Sequence, residues 1–284
     1  MIVSNYLYLV PALALVGGIV YYSLGYTVWL SFYNWDGISP NKTPVGFGNY
    51  IQAFTDPIFW RSLGNMGVFV STVIIQLVLG LGIAMLMHSN ILGKAVYKVI
   101  VFIPVVLAPA IMAPIYRQIL APEGYFNGLL HAVGLGFLAH PWLADPTTAL
   151  WALVAINVWQ WTGLSFLLYY AALGQVDASL IEAARLDGAA TWKMLRHILI
   201  PQVNGTTLTL LILGVIGVLK TFDLPYLVTS GGPANSTQFL STYIFLEGLT
   251  NLHAGYGAAL SVLLLLLSLI FTAYQIARYR RTTA

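Results

Sequence analysis

Apolar residues fall into six long runs, at about residues 6–30, 63–87, 99–120, 149–173, 206–228 and 258–276, and most charged residues lie between them. A helix rises about 1.5 Å per residue, so about 20 apolar residues cross a hydrocarbon core about 30 Å thick. The pattern predicts an all-α polytopic protein with six transmembrane helices. The first charged residue is Asp36. The opening run is too long for a signal peptide, has no basic flank and lacks a small-residue cleavage site, so it predicts a retained helix. Pro104, Pro109 and Pro114 stand at equal spacing in the third run. Each removes a backbone donor and favours a kink, and the freed carbonyls need partners from neighbouring helices or water. Lys220 and Asp223 interrupt the fifth run.

The connections differ in character. Residues 34–61 are rich in Pro, Gly, Asn and Asp and read as a loop outside the membrane, and 89–98 is a short basic link. Residues 121–146 predict an external loop with one short interfacial helix. His131 and His140 lie nine positions apart there, without a zinc-binding spacing, and read as ordinary polar loop residues. Residues 174–203 hold the most polar stretch. Glu182 to Leu186 are good helix formers, and Asp187-Gly188 is a turn or C-cap signal, so one helix should end near Gly188. Thr191 can cap a second segment with Trp192, Leu195 and Leu199 on one face and Lys193, Arg196 and His197 elsewhere, until Pro201 breaks it. The expected product is a bent, basic, amphipathic hairpin at a membrane surface.

Composition strengthens the membrane reading. The 284 residues are 59% hydrophobic and 7% charged, whereas a soluble domain carries about 25% charged residues. Cysteine is absent, which excludes disulfides, thiolate nucleophiles and cysteine metal ligands. With both termini cytoplasmic, that side holds Lys94, Lys98, Arg185, Lys193, Arg196, Arg278, Arg280 and Arg281, against Lys42, Arg61, Arg117 and Lys220 elsewhere, the bias expected of cytoplasmic loops. The net charge of +3 thus reflects orientation and lipid headgroups rather than nucleic acid. A P-loop, a Gly-x-Ser-x-Gly elbow and a His-Glu-x-x-His helix are all missing, and the carboxylates and histidines are scattered. No catalytic constellation or metal site is expected, and residues 1–284 read as one module.

The spaced residues Glu182-Ala183-Ala184, Asp187-Gly188-Ala189 and Ile198-x-x-Pro201 resemble the EAA loop of ABC importer permeases. Leu195 and Ile200 depart from its commonest residues but stay apolar. Five further regions are similar to the carbohydrate, maltose-permease-like branch: Gly46-Phe47-Gly48-Asn49-Tyr50 with Thr55-Asp56-Pro57 and Phe59-Trp60; Ile103-Pro104-Val105-Val106; Phe222-Asp223 with Pro225 to Thr229; Gly231-Gly232-Pro233; and Gly255-Tyr256-Gly257-Ala258-Ala259. The resemblance implies a cytoplasmic coupling hairpin that docks into a partner ATPase, where ATP and Mg bind. It also implies a second, homologous permease chain, two ATP-binding subunits, an extracytoplasmic solute-binding protein and a place in the inner (plasma) membrane. The implied cargo is a sugar or oligosaccharide, with a polyol or glycerophosphodiester as the alternative. A secondary transporter should instead show buried ion-coupling carboxylates or an internal repeat, and only Asp223 with Lys220 is a candidate. A membrane scaffold would not require the Glu182 pattern.

The candidate substrate path rests on polar groups at membrane depth. Asn157, Gln160 and Trp161 stand at i, i+3 and i+4 of the fourth run, where an amide facing lipid would be costly. Lys220, Thr221 and Asp223 lie in the outer part of the fifth, with the two charges placed to pair. These residues suit a wet sugar path, with Trp161 stacking on a sugar face. They equally suit interhelical hydrogen bonds and a structural ion pair.

Overall fold

The computed structural model describes residues 10–89, 91–186 and 191–283. Helix α1 runs through Val10–Leu15, a π-wound stretch Val16–Tyr21 and Tyr22–Leu30. A two-residue hairpin follows, β1 (Tyr33–Asn34) antiparallel to β2 (Thr43–Pro44), with Tyr33 opposite Pro44. Next come α2 (Gly48–Thr55), α3 (Pro57–His88), α4 (Lys94–Val106), α5 (Pro109–Ile119), α6 (Tyr125–Ala132) and α7 (Ala149–Leu173). Then follow α8 (Ala178–Leu186), α9 (Thr191–Met194, π-wound Leu195–Leu199, Ile200–Gln202) and α10 (Asn204–Lys220). The last elements are α11 (Asp223–Thr229), α12 (Leu240–Phe245 with π-wound Leu246–Thr250) and α13 (Ala254–Thr283). Leu13–Leu30, Pro57–His88, Ala149–Leu173 and Ala254–Gln275 are long and apolar enough to cross a membrane. Two bent pairs bring the candidates to as many as six: α4 with α5, at 101°, and Leu195–Gln202 with α10, at 59°.

The third apolar run, expected as one span over 99–120, is a pair of helices bent by 101°. Pro104 and Pro114 sit inside helices, and the break falls at Leu107-Ala108, both extended, just before Pro109. A proline disfavours helical geometry in the residue before it and is well tolerated as the first residue of a new helix. The fifth run also divides. Thr221 is extended, and the chain restarts at Asp223 with Pro225 in the first turn. At Pro201 the chain does not break at once: the preceding turn is π-wound, and the bend comes at Val203. Widening that turn relieves the clash between a proline ring and the carbonyl four residues earlier.

The chain divides into two compact units, one drawn from Met1–Leu63 and Leu240–Phe271, the other from Gly64–Phe239 and Thr272–Ala284. The first is organised by side chains that close backbone ends. Asn49 Nδ2 donates to the carbonyls of Ser31 (2.8 Å) and Tyr33 (3.0 Å), just past the end of α1. Asp56 Oδ1 accepts from Ile58 N at 2.8 Å and caps α3, with Pro57 as its first residue. Its Oδ2 accepts from Tyr243 and, at 2.8 Å, from Tyr256. A Cβ at Gly255 would collide with the Tyr33 carbonyl, and one at Gly257 would stand 2.7 Å from the Gly248 Cα.

In the second unit α7 is the axis. The described segments α4 and α10 pack along it. Small residues let helices approach where no hydrophobic effect drives association. A Cβ at Gly163 would meet the Val101 carbonyl, one at Gly80 would lie 2.6 Å from the Ser165 Cβ, and one at Gly214 2.5 Å from Val73 Cγ1. Phe166, Tyr169 and Leu173 form a core with Ala84, Met87, Val203 and Leu210. Tyr169 Oη donates to Thr207 Oγ1 at 2.9 Å and ties α7 to α10. Helix α5 packs on α11, where Arg117 donates to the Leu227 carbonyl in the last turn, a favourable place for a cation.

Candidate functional site

Three helices of the second unit, α3, α7 and α10, surround a cavity of about 260 Å³. Its polar lining is Thr72, Gln76, Asn157, Trp161, Ser165 and Thr221, and Leu164, Leu210 and Leu213 supply much of the rest. Asn157 and Trp161 share one face of α7, as i and i+4 positions must. Asn157 is buried, and Gln76 Nε2 donates to its side-chain oxygen at 2.8 Å and to its backbone carbonyl at 3.1 Å. Among the described residues Asn157 Nδ2 and Gln76 Oε1 have no hydrogen-bond partner, and both residues line the cavity. Trp161, 40% exposed, presents a broad apolar face beside them. The site thus combines a donor, an acceptor and an aromatic surface, with no ionised group in its lining.

The remaining expected path residues go elsewhere. Gln160 is buried on another face of α7 and donates to the Leu107 carbonyl at 3.3 Å. It supplies a carbonyl at the break between α4 and α5 with the partner that a kinked membrane helix needs. Lys220 and Asp223 are both exposed and line no part of the cavity, and among the described residues no ion pair joins them. Thr221 is extended, so the two charges are not on one helical face. Each instead suits its own helix dipole, Lys220 in the last turn of α10 and Asp223 in the first turn of α11.

Gly231, Gly232 and Pro233 form a loop closed upon itself. Thr237 Oγ1 donates to the Gly232 carbonyl at 2.7 Å and lies 2.7 Å from Thr229 Oγ1. Gly231 has φ +79°, and a Cβ there would strike the Gln238 side chain. Asn65 Nδ2 donates to the carbonyls of Ser236 and Gln238, both at 2.9 Å. His140 bonds Asp145 at 2.8 Å within its own loop. Of the expected coupling residues, Glu182 is exposed and Ala184 buried on α8, with Ala183 between them in the chain, and Pro201 is exposed on α9. Asp187, Gly188 and Ala189 lie outside the described residues. Asp177 caps α8 through Ser179 N at 2.9 Å, and that hydrogen bond holds its carboxyl below the ordinary carboxylate range.

Gln76 and Thr72 are site residues that the sequence reading passed over. Gln76 carries the same signal as Asn157, an amide within an uncharged apolar run.

A wider cavity, about 660 Å³, is lined by Tyr116, Phe126, Trp142, Trp151 and Trp159 together with aliphatic groups. It offers no amide, and a hydroxyl-rich solute would find few partners there.

A family model described as binding-protein-dependent transport system inner membrane component matches residues 76–283. The trehalose/maltose transport system permease protein of Thermococcus litoralis is 31% identical, over 98% of this chain and 94% of that protein. The lactose transport system permease protein of Rhizobium radiobacter is 32% identical, over 86% of this chain and 82% of that protein. In structure, the chain is similar to a subunit of a bacterial ABC transporter involved in the import of the acidic polysaccharide alginate. The TM-score is 0.84 at 21% identity, covering 99% of this chain and 96% of the other.

Proposed function

This chain belongs to the family of binding-protein-dependent transport system inner membrane components, and from that premise we propose that it conducts a sugar or oligosaccharide along the cavity between α3, α7 and α10. It is a permease subunit of an ABC importer, not an enzyme. The observation that carries the path is the open pair of amide atoms at Asn157 and Gln76, beside Trp161, within long, largely apolar helices. Amides bond sugar hydroxyls and an indole covers a sugar face, and relatives named for lactose and trehalose/maltose transport support that class of cargo.

In this reading each bent pair is one span, giving six, and residues 1–284 form one permease module with cytoplasmic termini. The segment 174–203 docks on an ATPase through Glu182, Ala183, Ala184, Asp187, Gly188, Ala189 and Pro201. Two such ATPase subunits bind ATP and Mg, a second permease chain completes the cavity, and a solute-binding protein delivers cargo to the external loops, Gly231-Gly232-Pro233 among them. At about 260 Å³ the cavity falls just below the usual range for a small-molecule pocket, which begins at about 300 Å³, as half of a shared chamber would.

The test is ATP-dependent uptake of labelled lactose, trehalose and maltose by the assembled complex. Asn157→Ala and Trp161→Ala should lower uptake about tenfold or change the order of preference, with the complex intact. Normal transport by both variants, or loss only through disassembly, would make the cluster a packing element.

A further inference from the structure

The cavity-lining face of α7 does not end at Trp161. A second cavity, about 570 Å³, opens at the other end of the same two helices, with Gln175, Gln202, Thr206 and Thr209 as its polar lining. Asn157 and Ala172 are 15 positions apart, about four turns at 3.6 residues per turn, so they lie on a similar face roughly 22 Å apart along the axis, and Gln175 follows just past the end of α7 at Leu173. Between them Trp161, Leu164, Leu168 and Ala171 recur every three or four residues, and each lines one cavity or the other. The facing strip repeats this: Gln202, Thr206 and Thr209 line the second cavity, and Leu213, Gly217 and Thr221 the first. The two cavities are therefore consecutive openings on one pair of helix faces, separated by a belt of leucines.

The chemistry of the second cavity matches the first. The side-chain amides of Gln175 and Gln202 and the hydroxyl of Thr206 have no hydrogen-bond partner among the described residues, and Thr209, which donates to the Gly205 carbonyl at 2.9 Å, keeps an oxygen free to accept. Among the described residues no Asp, Glu, Lys, Arg or His lines either cavity. Buried charges in a path are costly unless the solute pairs with them, so a lining of amides and hydroxyls alone suits an uncharged, hydroxyl-rich solute.

We infer that the Gln175–Gln202–Thr206 cavity is the inward continuation of the solute path, a second subsite for neutral sugars passing from the Asn157 cavity toward the ATPase side. This rests on the α7/α10 path proposed above.

The chain has no cysteine, so one substitution supplies a unique thiol. In the assembled, nucleotide-free complex, a small membrane-impermeant thiol reagent added from the ATPase side should modify Trp161→Cys. Adding Thr206→Trp should slow that reaction at least tenfold, whereas Leu208→Trp, whose position lines neither cavity, should leave it unchanged. An undiminished rate with Thr206→Trp overturns the inference while the Asn157 path stands. A Trp161→Cys thiol unreactive from either side overturns the path itself, and the inference with it. Where Thr206→Trp fails to assemble, Thr206→Cys and Gln175→Cys decide: both must react from the ATPase side, and an inert thiol at either position overturns the assignment. Cationic and anionic reagents of equal size should react at similar rates at Thr206→Cys. A tenfold preference would overturn the neutral-solute assignment.

Discussion

Two polar clusters in this chain, one half-buried and one buried, are built from similar hydrogen bonds and end differently. Around Asp56 both carboxylate oxygens are engaged, one by the backbone of α3 and the other by the hydroxyls of Tyr243 and Tyr256. Around Asn157 the Gln76 amide closes on the side-chain and backbone oxygens, but Asn157 Nδ2 and Gln76 Oε1 are left to a cavity. Buried polar groups are nearly always paired, so an open pair inside apolar helices calls for a partner from outside the chain. On the proposed path, the Asp56 cluster holds the fold and the Asn157 cluster meets the solute. The contrast can be broken by substitutions that separate stability from uptake.

The largest effect is expected at Asp56. Asp56→Ala removes a helix cap and leaves two tyrosine hydroxyls without their acceptor, a loss of about 3–5 kcal/mol from a cap and two unpaired groups. Thermal unfolding in detergent should show the loss, with uptake falling only in proportion to folded protein. A stable variant with impaired uptake would move Asp56 to the solute path.

Next in size is a pair of glycines. At Gly255 a Cβ meets the Tyr33 carbonyl, whereas at Gly217, on the Asn157 cavity, it meets nothing within 4 Å. Gly255→Ala should cost about 1–3 kcal/mol as overpacking. Gly217→Ala should be neutral or stabilise by up to about 1 kcal/mol, since alanine is the better helix former. Melting temperatures of the two purified variants check this, and equal losses would erase the contrast.

The apolar runs were legible because their length alone demands helices, and Asn157 was legible because an amide in such a run needs a reason. Two things were hidden for a physical cause. Which of three evenly spaced prolines breaks a helix depends on what receives the freed carbonyl, and Gln160, 53 positions from Leu107, is invisible to local spacing. Likewise Gly255-Tyr256-Gly257 and Thr55-Asp56-Pro57 can be recognised as patterns, but their residue types are explained only by contacts some 200 positions apart, such as Tyr256 on Asp56. Gln76 and Asn157, 81 positions apart, pose the same problem. Lys220 and Asp223 mislead in the opposite way, because helical spacing suggests a pair that the extended Thr221 prevents.

Asn157→Ala itself should be mild for the fold. It removes a side-chain partner of Gln76, but the cavity already admits water, so a loss near 1 kcal/mol is expected, against about tenfold in uptake. A thermal shift as large as that of Asp56→Ala would mean that the amide pair is a structural lock.

The smallest effect, and the sharpest division within one helix, is expected at Gln160. It lies three residues from Asn157 and one from Trp161, and spacing alone groups all three. Its amide is turned away from the cavity toward the Leu107 carbonyl at 3.3 Å, a long bond whose donor a water could replace at the α4–α5 bend. Gln160→Ala should therefore cost at most about 1 kcal/mol and leave sugar preference unchanged. Uptake of lactose, trehalose and maltose by Gln160→Ala and Asn157→Ala in parallel complexes tests this. Should Gln160→Ala alter preference as strongly as Asn157→Ala, the bend itself must shape the solute path, and the line between holding and conducting groups would fall elsewhere on α7.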